Sequence, residues 1–531
     1  MTEIPHTERA IQLIGPDEMA LNPVKPIPEP GPGQLLARVE AVGLCFSDLK
    51  LLKQFSGHAR KSPVMAGIDP GALLDMPNYV PDDRPTVPGH EAVVRIAKVG
   101  PGVERYKTGE RFVVETDYRW LPTMKSNAAF GYNFEGALQE YVLFDERVIT
   151  SPEGESMLLP APETLSASAL ALVEPWACVE RAYAEVQRRT LRSGGRLLIA
   201  SDAPVRQGVA ERLPGRAGVI EFAVGGALGP LANVAYDDIV YFGADAGTAE
   251  ALFPRLAPGG LMAIVRGGQK FGRPVNAEIG RVHYGGIRVV GTAGADPAEA
   301  YAAIPANAEI GTGDRINIVG AAGPMGTMHV IRLLSSGTPG VTVYAGDLNE
   351  ERLAGLRALA EPLAREKRVG LCCYNPKTDS PAPAFDYVVV MAPVPALAAE
   401  AVEAAAKGGV INIFAGIPAD KTAAINLDAY VEKELYFVGT SGSEIDDMRR
   451  VLAKLKAGEL DTNLSVAAVA GLEGAIDGIR AVEKNLLPGK VLVYPSCRGL
   501  KLTPLGELKG VATSRWDAEA EAALLKRFET P

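Results

Sequence analysis

Residues 313–334, GDRINIVGAAGPMGTMHVIRLL, contain an apolar strand that ends at a glycine, two further glycines, and then a helical stretch. Gly320 allows a tight turn, Gly323 lets the backbone approach a pyrophosphate, and Gly326 permits close packing of helix on strand. The start of the helix supplies free N–H groups and a positive dipole for phosphates. This stretch therefore predicts a dinucleotide-binding βα unit within a parallel sheet.

A second strand, VTVYAGD (341–347), follows the glycine turn and ends at Asp347. A carboxylate at this place can accept hydrogen bonds from the ribose hydroxyls and would repel a 2′-phosphate, so NAD is favoured over NADP. Pro324 and Met325, inside the glycine turn, are predicted to contact the cofactor as well. The alternative is a glycine-rich turn with a surface aspartate and no ligand.

The region around this unit is duplicated. The matching pairs are 194–201 with 313–320, 236–267 with 385–416, and 285–294 with 433–442. The matches keep their order, and the last two pairs lie nearly the same distance apart. An internal repeat is therefore favoured over the loose likeness of any two α/β stretches.

The first copy has lost the glycine turn, because Ser201, Pro204 and Gln207 stand at the three glycine positions. Proline and glutamine do not permit the backbone approach that a pyrophosphate needs. The copy is also shorter, which predicts the loss of most of its second strand. We expect residues 194–312 to form a degenerate nucleotide-fold unit that binds no dinucleotide.

The remaining parts of the chain follow a different pattern. Short strands separated by Gly- and Pro-rich turns predict a small barrel or sandwich at the N-terminus, and NLLPGKVLVYPS (485–496) indicates a return to it. The predicted domains are residues 1–176 completed by 456–531, the degenerate unit at 177–312, and the NAD-binding unit at 313–455. The fold class is α/β plus β.

Composition excludes several classes of protein. Of 531 residues, 47% are hydrophobic and 22% charged, which is typical of a globular chain. The net charge of −10, without a basic block, argues against nucleic-acid binding. Five cysteines without a CxxC pair argue against a disulfide scaffold. With no secretory signal and no apolar run of about 20 residues, we expect a soluble, cytoplasmic enzyme without a membrane partner.

Candidate metal ligands lie in three separate segments of the β-rich part and the stretch that follows it. GLCFSD (43–48) contains Cys45, PGHE (88–91) contains His90 and Glu91, and LVEPWAC (172–178) contains Glu174. Cysteine, histidine and carboxylate are the ligand types of a catalytic zinc with an open position. Each of these residues alone is more often structural.

Together with the glycine turn, these segments resemble the medium-chain dehydrogenase/reductase superfamily, in its zinc-dependent polyol branch with sorbitol dehydrogenase and sorbose-1-phosphate reductase. The resemblance implies a GroES-like β-barrel catalytic domain, a Rossmann NAD domain and one catalytic zinc. The matching segments are GLCFSD, PGHE, VGPGVERYKTGERF, EPWAC, GAAGPMG, GDLNEERL, NIFAGIP and GTSGS.

The resemblance also implies a role for each matching residue. Cys45 and His90 match the zinc ligands, and Glu91 matches the carboxylate that completes the polyol-type site. Glu174 matches a second carboxylate, which ligates the metal or holds its water; which of the two carboxylates ligates zinc at rest is open.

Further roles follow from the same resemblance. Ser47 occupies the position of the hydroxyl that relays the alcohol proton, and Asp48 is expected to orient His90 through its other ring nitrogen. Four residues at strand ends are expected to face the nicotinamide: Ala415, Gly416, Thr440 and Ser441.

Three features depart from the family pattern. Residues 116–136 lack the four cysteines that often hold a structural zinc, so one metal is expected. Residues 58–85 lengthen the segment between Cys45 and His90 and are expected to form a loop near the cleft. The duplicated unit is not part of an ordinary family chain. Family members commonly dimerise through sheet edges, so either a homodimer or a monomer with an internal pseudo-dimer is possible.

The implied reaction converts a secondary alcohol of a polyol, sugar or sugar phosphate to the ketone, or the reverse, with zinc as Lewis acid and NAD as hydride carrier. A phosphorylated substrate is possible because of five basic residues in the two loops expected at the cleft, although ordinary solvated surface is the favoured explanation for these charges. They are His58, Arg60, Lys61, Arg119 and Lys125. Two alternatives stay open: a metal-free reductase of enones or quinones, and a non-catalytic NAD-binding scaffold.

Overall fold

The computed structural model describes residues 4–204, 208–225, 234–379, 381–509 and 515–528. Contacts divide the chain into two compact units, Met1–Ala177 with Glu444–Pro531, and Cys178–Ser443. The sequence pattern places the return to the first unit at residue 456, whereas the contacts place it at Glu444. The earlier return is consistent with an ion pair between Arg449 and Glu155, 2.6 Å apart.

The N-terminal part of the first unit is mostly strand. Its strands are β1 (Thr7–Gly15), β2 (Glu18–Pro26), β3 (Gln34–Gly43), β4 (Glu91–Val99), β5 (Arg111–Val114), β6 (Asp117–Pro122), β7 (Asn127–Ala129), β8 (Tyr141–Asp145) and β9 (Leu158–Pro160). Its helices are α1 (Phe46–Gln54), α2 (Pro70–Leu74), α3 (Glu146–Ile149) and α4 (Ala167–Ala171), and α5 (Val173–Ala184) leads into the second unit. The extra loop between Cys45 and His90 contains α2.

The second unit alternates strands and helices. Its strands are β10 (Arg196–Ser201), β11 (Val219–Val224), β12 (Tyr236–Phe242), β13 (Leu256–Val265), β14 (Val275–Ala277), β15 (Arg288–Thr292), β16 (Arg315–Val319), β17 (Thr342–Gly346), β18 (Gly370–Tyr374), β19 (Phe385–Val390), β20 (Ala405–Ile413), β21 (Ala423–Ile425) and β22 (Tyr436–Val438). Its helices are α6 (Ala246–Leu252), α7 (Gly280–Tyr284), α8 (Pro297–Ala302), α9 (Pro324–Ser335), α10 (Glu350–Lys367), α11 (Ala396–Ala404) and α12 (Leu427–Glu432).

The C-terminal segment completes the first unit. It contains α13 (Ile445–Ala457), β23 (Val466–Ala470), α14 (Leu472–Glu483), β24 (Lys490–Val493), β25 (Thr503–Pro504) and α15 (Ala518–Phe528). In the main sheet, ordered β25-β23-β24-β3-β4-β5-β9 with β8 also on β3, strand β24 pairs antiparallel with β3. Glu521 of α15 accepts hydrogen bonds from the N–H groups of Ala167 and Ser168. Both ends of the chain therefore build the GroES-like domain.

The second unit contains two Rossmann-type parallel sheets. The intact copy has the strand order β18-β17-β16-β19-β20-β22. Successive strands are added on one side of β16 up to β18 and on the other side from β19 onward, so the strand order reverses between β16 and β19. Ligands of such sheets bind at that reversal, beyond the carboxyl ends of the strands. The degenerate copy has the order β11-β10-β12-β13-β15.

The degenerate copy differs from expectation in one strand. The second strand is present, because β11 pairs in parallel with β10 from Arg196 opposite Val219 to Ser201 opposite Val224. Among the described residues it is the third strand of the intact copy that lacks a counterpart, so the deletion falls after β11. Gln207 lies outside the described residues. No helix in the described part of the chain is both long and apolar enough to cross a membrane.

The two copies meet edge to edge. Strand β15 lies beside β22, and β14 pairs antiparallel with β21. Buried residues of both copies, such as Val282 and Phe437, belong to one continuous apolar core. The Tyr430 hydroxyl donates to the carbonyl of Val289 in the other copy at 2.7 Å and accepts from the Phe437 N–H at 2.9 Å. Both copies therefore contribute to one shared core.

We expect Tyr430→Phe to lower the free energy of unfolding by about 1–3 kcal/mol, because two buried backbone groups lose their partner. Urea denaturation followed by circular dichroism measures this loss. The matched control is Tyr344→Phe, on a half-buried tyrosine of the same unit, which should change stability by less than about 0.5 kcal/mol. Equal effects of the two substitutions would contradict the shared core.

Candidate active site

Cys45, His90 and Glu91 are brought together by one strand pairing. Strands β3 and β4 are antiparallel neighbours, and Gly43 at the end of β3 lies opposite Glu91 at the start of β4. Cys45 follows as the residue before α1, and His90 precedes β4. One potential ligand atom from each of the three residues lies within 4.8 Å of the others. His90 and Glu91 are buried, and Cys45 is half-buried.

Asp48 connects the two halves of this cluster. Its Oδ1 lies 3.2 Å from His90 Nδ1 and accepts from the Gly89 N–H, and its Oδ2 accepts from the Cys45 N–H at 2.9 Å. Burial lowers the pKa of His90, but Tyr132 and Asp48 outweigh it, so that this pKa stands well above its usual value. Asp48 thus contacts His90 at Nδ1, and its orienting role stays a prediction.

Glu91 has one oxygen paired and one oxygen unpaired. Lys490 of β24 donates to Glu91 Oε1 at 2.6 Å, and both side chains are buried. Glu91 Oε2 is buried and has no hydrogen-bond partner among the described residues. A Cβ added to Gly43 would lie 2.1 Å from this oxygen, so only glycine leaves it room. An unpaired buried carboxylate oxygen is costly, and a cation would satisfy it.

Lys490 is a site residue that the sequence analysis missed. Burial lowers its pKa and Glu91 raises it more, so the ammonium pKa stands above its usual value. The available signal was a lysine that opens the apolar run KVLV at 490–493. Its partner could not be inferred, since it lies at the other end of the chain.

Glu174 and Ser47 lie outside the tight cluster of three. Glu174, in the first turn of α5, is not among the residues whose ligand atoms lie within 4.8 Å of one another. Burial raises the pKa of Glu174 to about 7, while the charge of His90 lowers this pKa and that of Glu91 raises it. The Glu174 carboxyl group is therefore close enough to interact electrostatically with both residues. Ser47 is half-buried in the first turn of α1, two residues after Cys45.

The basic residues of the two loops are mostly paired. Arg60 binds Asp117 at 2.7 Å, and Arg119 lies 3.6 Å from Asp117 and 3.9 Å from Glu115. Lys61 is completely buried and donates to the carbonyl groups of Val80 and Arg84, so it does not line a cleft.

Two further side chains in or next to these loops, His58 and Glu115, have shifted pKa values. Burial and the neighbouring Arg60 lower the pKa of His58 to about 4. Burial and Asp117 raise the pKa of Glu115 to about 8. Lys125 is exposed. This part of the first unit therefore combines cations with nearby carboxylates.

The glycine turn of the intact copy has the geometry of a phosphate site. Gly320 has φ of +88°, which favours glycine, and a Cβ on Gly326 would lie 2.5 Å from the Gly320 carbonyl oxygen. A Cβ on Gly323 would meet nothing within 4 Å, so open space faces the residue before α9. Pro324 and Met325 form the first positions of that helix and are half-buried.

Asp347, the residue after β17, lies next to this glycine turn. Its Oδ2 accepts from the Ala322 N–H at 3.1 Å, and its Oδ1 accepts from Asn349 and Arg352, both at 3.0 Å. A cavity of about 510 Å³ opens here. Its lining includes Gly320, Asp347, Leu348, Arg352 and Ala392. An adenosine group could occupy this space.

The four residues predicted at the nicotinamide lie just beyond two strand ends of the same copy. Ala415 and Gly416 follow β20, and Thr440 and Ser441 follow β22. The Thr440 Oγ1 is buried without a hydrogen-bond partner among the described residues, and Gly416 is exposed. A hydroxyl at this place can form a hydrogen bond with a carboxamide group such as that of a nicotinamide.

The degenerate copy fills the corresponding position with an aspartate. Asp202, just after β10, accepts from the N–H groups of Ala244 and Asp245 through Oδ2 and from the Tyr241 hydroxyl through Oδ1. A carboxylate at this strand end repels phosphate. That this copy binds no dinucleotide stays a prediction.

The chain is similar to known proteins in sequence and in fold. Residues 31–153 match the model of the alcohol dehydrogenase GroES-like domain. The chain is 35% identical to L-sorbose 1-phosphate reductase of Klebsiella pneumoniae over 156 residues, which cover 27% of this chain and 37% of that protein. It is 29% identical to (R,R)-butanediol dehydrogenase of Bacillus subtilis over 200 residues, which cover 35% and 49%. The chain thus spans less than half the length of these curated relatives.

The crystal structure of 2R,3R-butanediol dehydrogenase from Bacillus subtilis aligns over 92% of this chain and all of that one, with a TM-score of 0.55 and 18% identity. At this identity the likeness concerns the fold, and it agrees with the β-rich first unit and the Rossmann-type sheets described above. Taken together, residues 31–153 match an alcohol dehydrogenase GroES-like domain, and the chain is similar in sequence to alcohol dehydrogenases and a sugar-phosphate reductase, which confirms the predicted resemblance to the medium-chain dehydrogenase/reductase superfamily.

Proposed function

We propose that the protein is a zinc-dependent NAD(H) oxidoreductase that interconverts a secondary alcohol of a polyol or sugar with the ketone. The observation that supports this most directly is the buried Glu91 Oε2, which lies near Cys45 and His90 and has no hydrogen-bond partner in the part of the chain that the structure describes. A metal-free reductase of enones has no use for such an oxygen. By their names, the two relatives above are a reductase of a sugar phosphate and a dehydrogenase of a diol.

Cys45, His90 and Glu91 would hold the zinc, and Glu174 would supply a fourth ligand or hold a water. When bound, zinc lowers the pKa of a coordinated hydroxyl, and NAD accepts the hydride. The chain's own groups prepare this chemistry. Asp48 fixes the ring of His90 through Nδ1, and Lys490 balances the charge of Glu91.

Proton movement is assigned to Ser47. Its hydroxyl is on the first turn of α1, two residues after Cys45, so it can pass a proton from the substrate toward solvent. This role comes from the family resemblance.

The substrate we favour is an uncharged polyol or sugar. Arg60 and Arg119 are already paired with Asp117 and Glu115, and Lys61 is buried in its own loop. A phosphate group would have to compete with these carboxylates. A sugar phosphate is therefore the second choice, supported by the named relative that reduces one.

We expect Cys45→Ser to reduce bound zinc from about one per chain to almost none and to lower turnover at least about a thousandfold, while NAD still binds. Zinc is measured by atomic emission and NAD by calorimetry. Cys372→Ser, on a half-buried cysteine of the second unit, is the matched control and should retain zinc and activity. Full turnover in a zinc-free Cys45→Ser protein would refute the proposal.

The Asp347 carboxylate should select NAD. We expect Asp347→Ser to raise the KM for NAD about tenfold or more, because charged hydrogen bonds to the ribose are lost, and to lower the KM for NADP. Steady-state kinetics with both cofactors measures this change. Glu351→Gln removes a nearby exposed charge and should change neither KM. Equal use of NAD and NADP by the unmodified protein would contradict the assignment.

The internal copy should take the place of a partner subunit. The edge strand β22 of the intact copy is already covered by β15, so this edge has no room for a second chain. We expect light scattering to give a monomer near 56 kDa at micromolar concentration. A stable dimer under these conditions would contradict this part of the proposal.

A further inference from the structure

Helix α7 of the degenerate copy packs against the loop that follows Gly416 in the intact copy. The Gly280 N–H lies 3.3 Å from the Lys421 carbonyl oxygen, to which it donates. A Cβ added to Gly280 would lie 2.0 Å from the Pro418 carbonyl oxygen. Only glycine therefore allows this approach, and the loop 416–421 is held from the side of the degenerate copy.

The same copy also holds the turn before Thr440. Arg288 of β15 is buried and donates to the Gly439 carbonyl at 3.0 Å. A Cβ on Gly439 would lie 2.9 Å from the Val282 carbonyl oxygen. Both loops with residues predicted at the nicotinamide are thus in contact with α7 or β15.

Tyr284, the last residue of α7, contacts the first of these loops with its hydroxyl. A Cβ on Gly416 would lie 2.8 Å from the Tyr284 Oη and 3.7 Å from its Cζ, and apart from the two chain neighbours of Gly416 no other described residue lies within 4 Å of that position. Tyr284 is 42% exposed, and Gly416 is exposed as well. The tyrosine therefore lies on the open side of the turn rather than in the core.

We propose that Tyr284, although it belongs to the degenerate copy, is a positioning residue for the nicotinamide end of the cofactor in the intact copy. The inference rests on the proposed NAD site. Exposed loops with few buried contacts move readily, and small displacements of a reacting ring are costly. Contact with Tyr284 limits the movement of the Gly416 turn. The degenerate copy thus lost its own phosphate turn but kept the helix that supports its neighbour.

The experiment compares two ligands, NADH and ADP-ribose, which lacks the nicotinamide ring. We expect Tyr284→Ala to raise the Kd for NADH about threefold to tenfold and to leave the Kd for ADP-ribose within twofold. Tyr284→Phe loses the contacting hydroxyl but keeps the ring carbon Cζ near the turn, so its Kd for NADH should lie between those of the unmodified protein and Tyr284→Ala. In turnover assays the KM for NAD should rise more than kcat falls.

A double-mutant cycle tests the contact itself. Gly416→Ala should weaken NADH binding about threefold in the unmodified protein, because the new methyl group displaces the Tyr284 hydroxyl. In the Tyr284→Ala background the same substitution should have less than a twofold effect. The control, Arg273→Ala, removes an exposed ion pair with Glu250 in the degenerate copy and should change nothing.

The outcomes separate this inference from the proposed function. If the unmodified protein binds neither NADH nor ADP-ribose, the NAD site itself is wrong. If it binds both and Tyr284→Ala leaves NADH binding unchanged, or weakens both ligands equally, the positioning role is wrong. Additive effects in the cycle would likewise overturn it.

Discussion

The pairing of Gly43 with Glu91 across β3 and β4 is the constraint on which the candidate metal site depends. This pairing places Glu91 Oε2 in the space that Gly43 leaves open by having no side chain. Cys45, which follows β3, and His90, which precedes β4, lie near this carboxylate. A one-residue slip would turn Glu91 to the opposite face of the sheet. The site is thus as rigid as the sheet that bears it.

Charge balance around this pairing explains why the carboxylate can be buried. Lys490 neutralises one oxygen of Glu91 at 2.6 Å, and the other oxygen stays free for a cation. A hydrogen bond from a second lysine would have paired Glu91 Oε2 as well, and this oxygen would then need no cation. Because Lys490 is on β24, the site needs the C-terminal segment to be folded.

The duplicated unit solves a general problem of open parallel sheets. An edge strand exposes unpaired backbone groups, and β15 of the degenerate copy covers the edge at β22. The shared core around Val289, Tyr430 and Phe437 makes the two copies one folding unit. Loss of the glycine turn in one copy is compatible with retention of that copy, because its apolar surface packs in the shared core and its helix α7 contacts the other copy.

Local residue patterns were sufficient to predict the glycine turn followed by Asp347, the internal repeat and the α/β plus β class, since turns and strand periodicity are properties of short segments, whereas the GroES-like domain was predicted from the family resemblance. Tertiary structure alone decided four things: that Lys490 pairs with Glu91, that Lys61 is buried, that β11 survives in the degenerate copy, and that Tyr284 reaches Gly416. Each of these depends on segments far apart in the chain, or on how much of a shortened segment still pairs. Sequence patterns contain no distance between such segments; only the packed sheets and the shared core supply it.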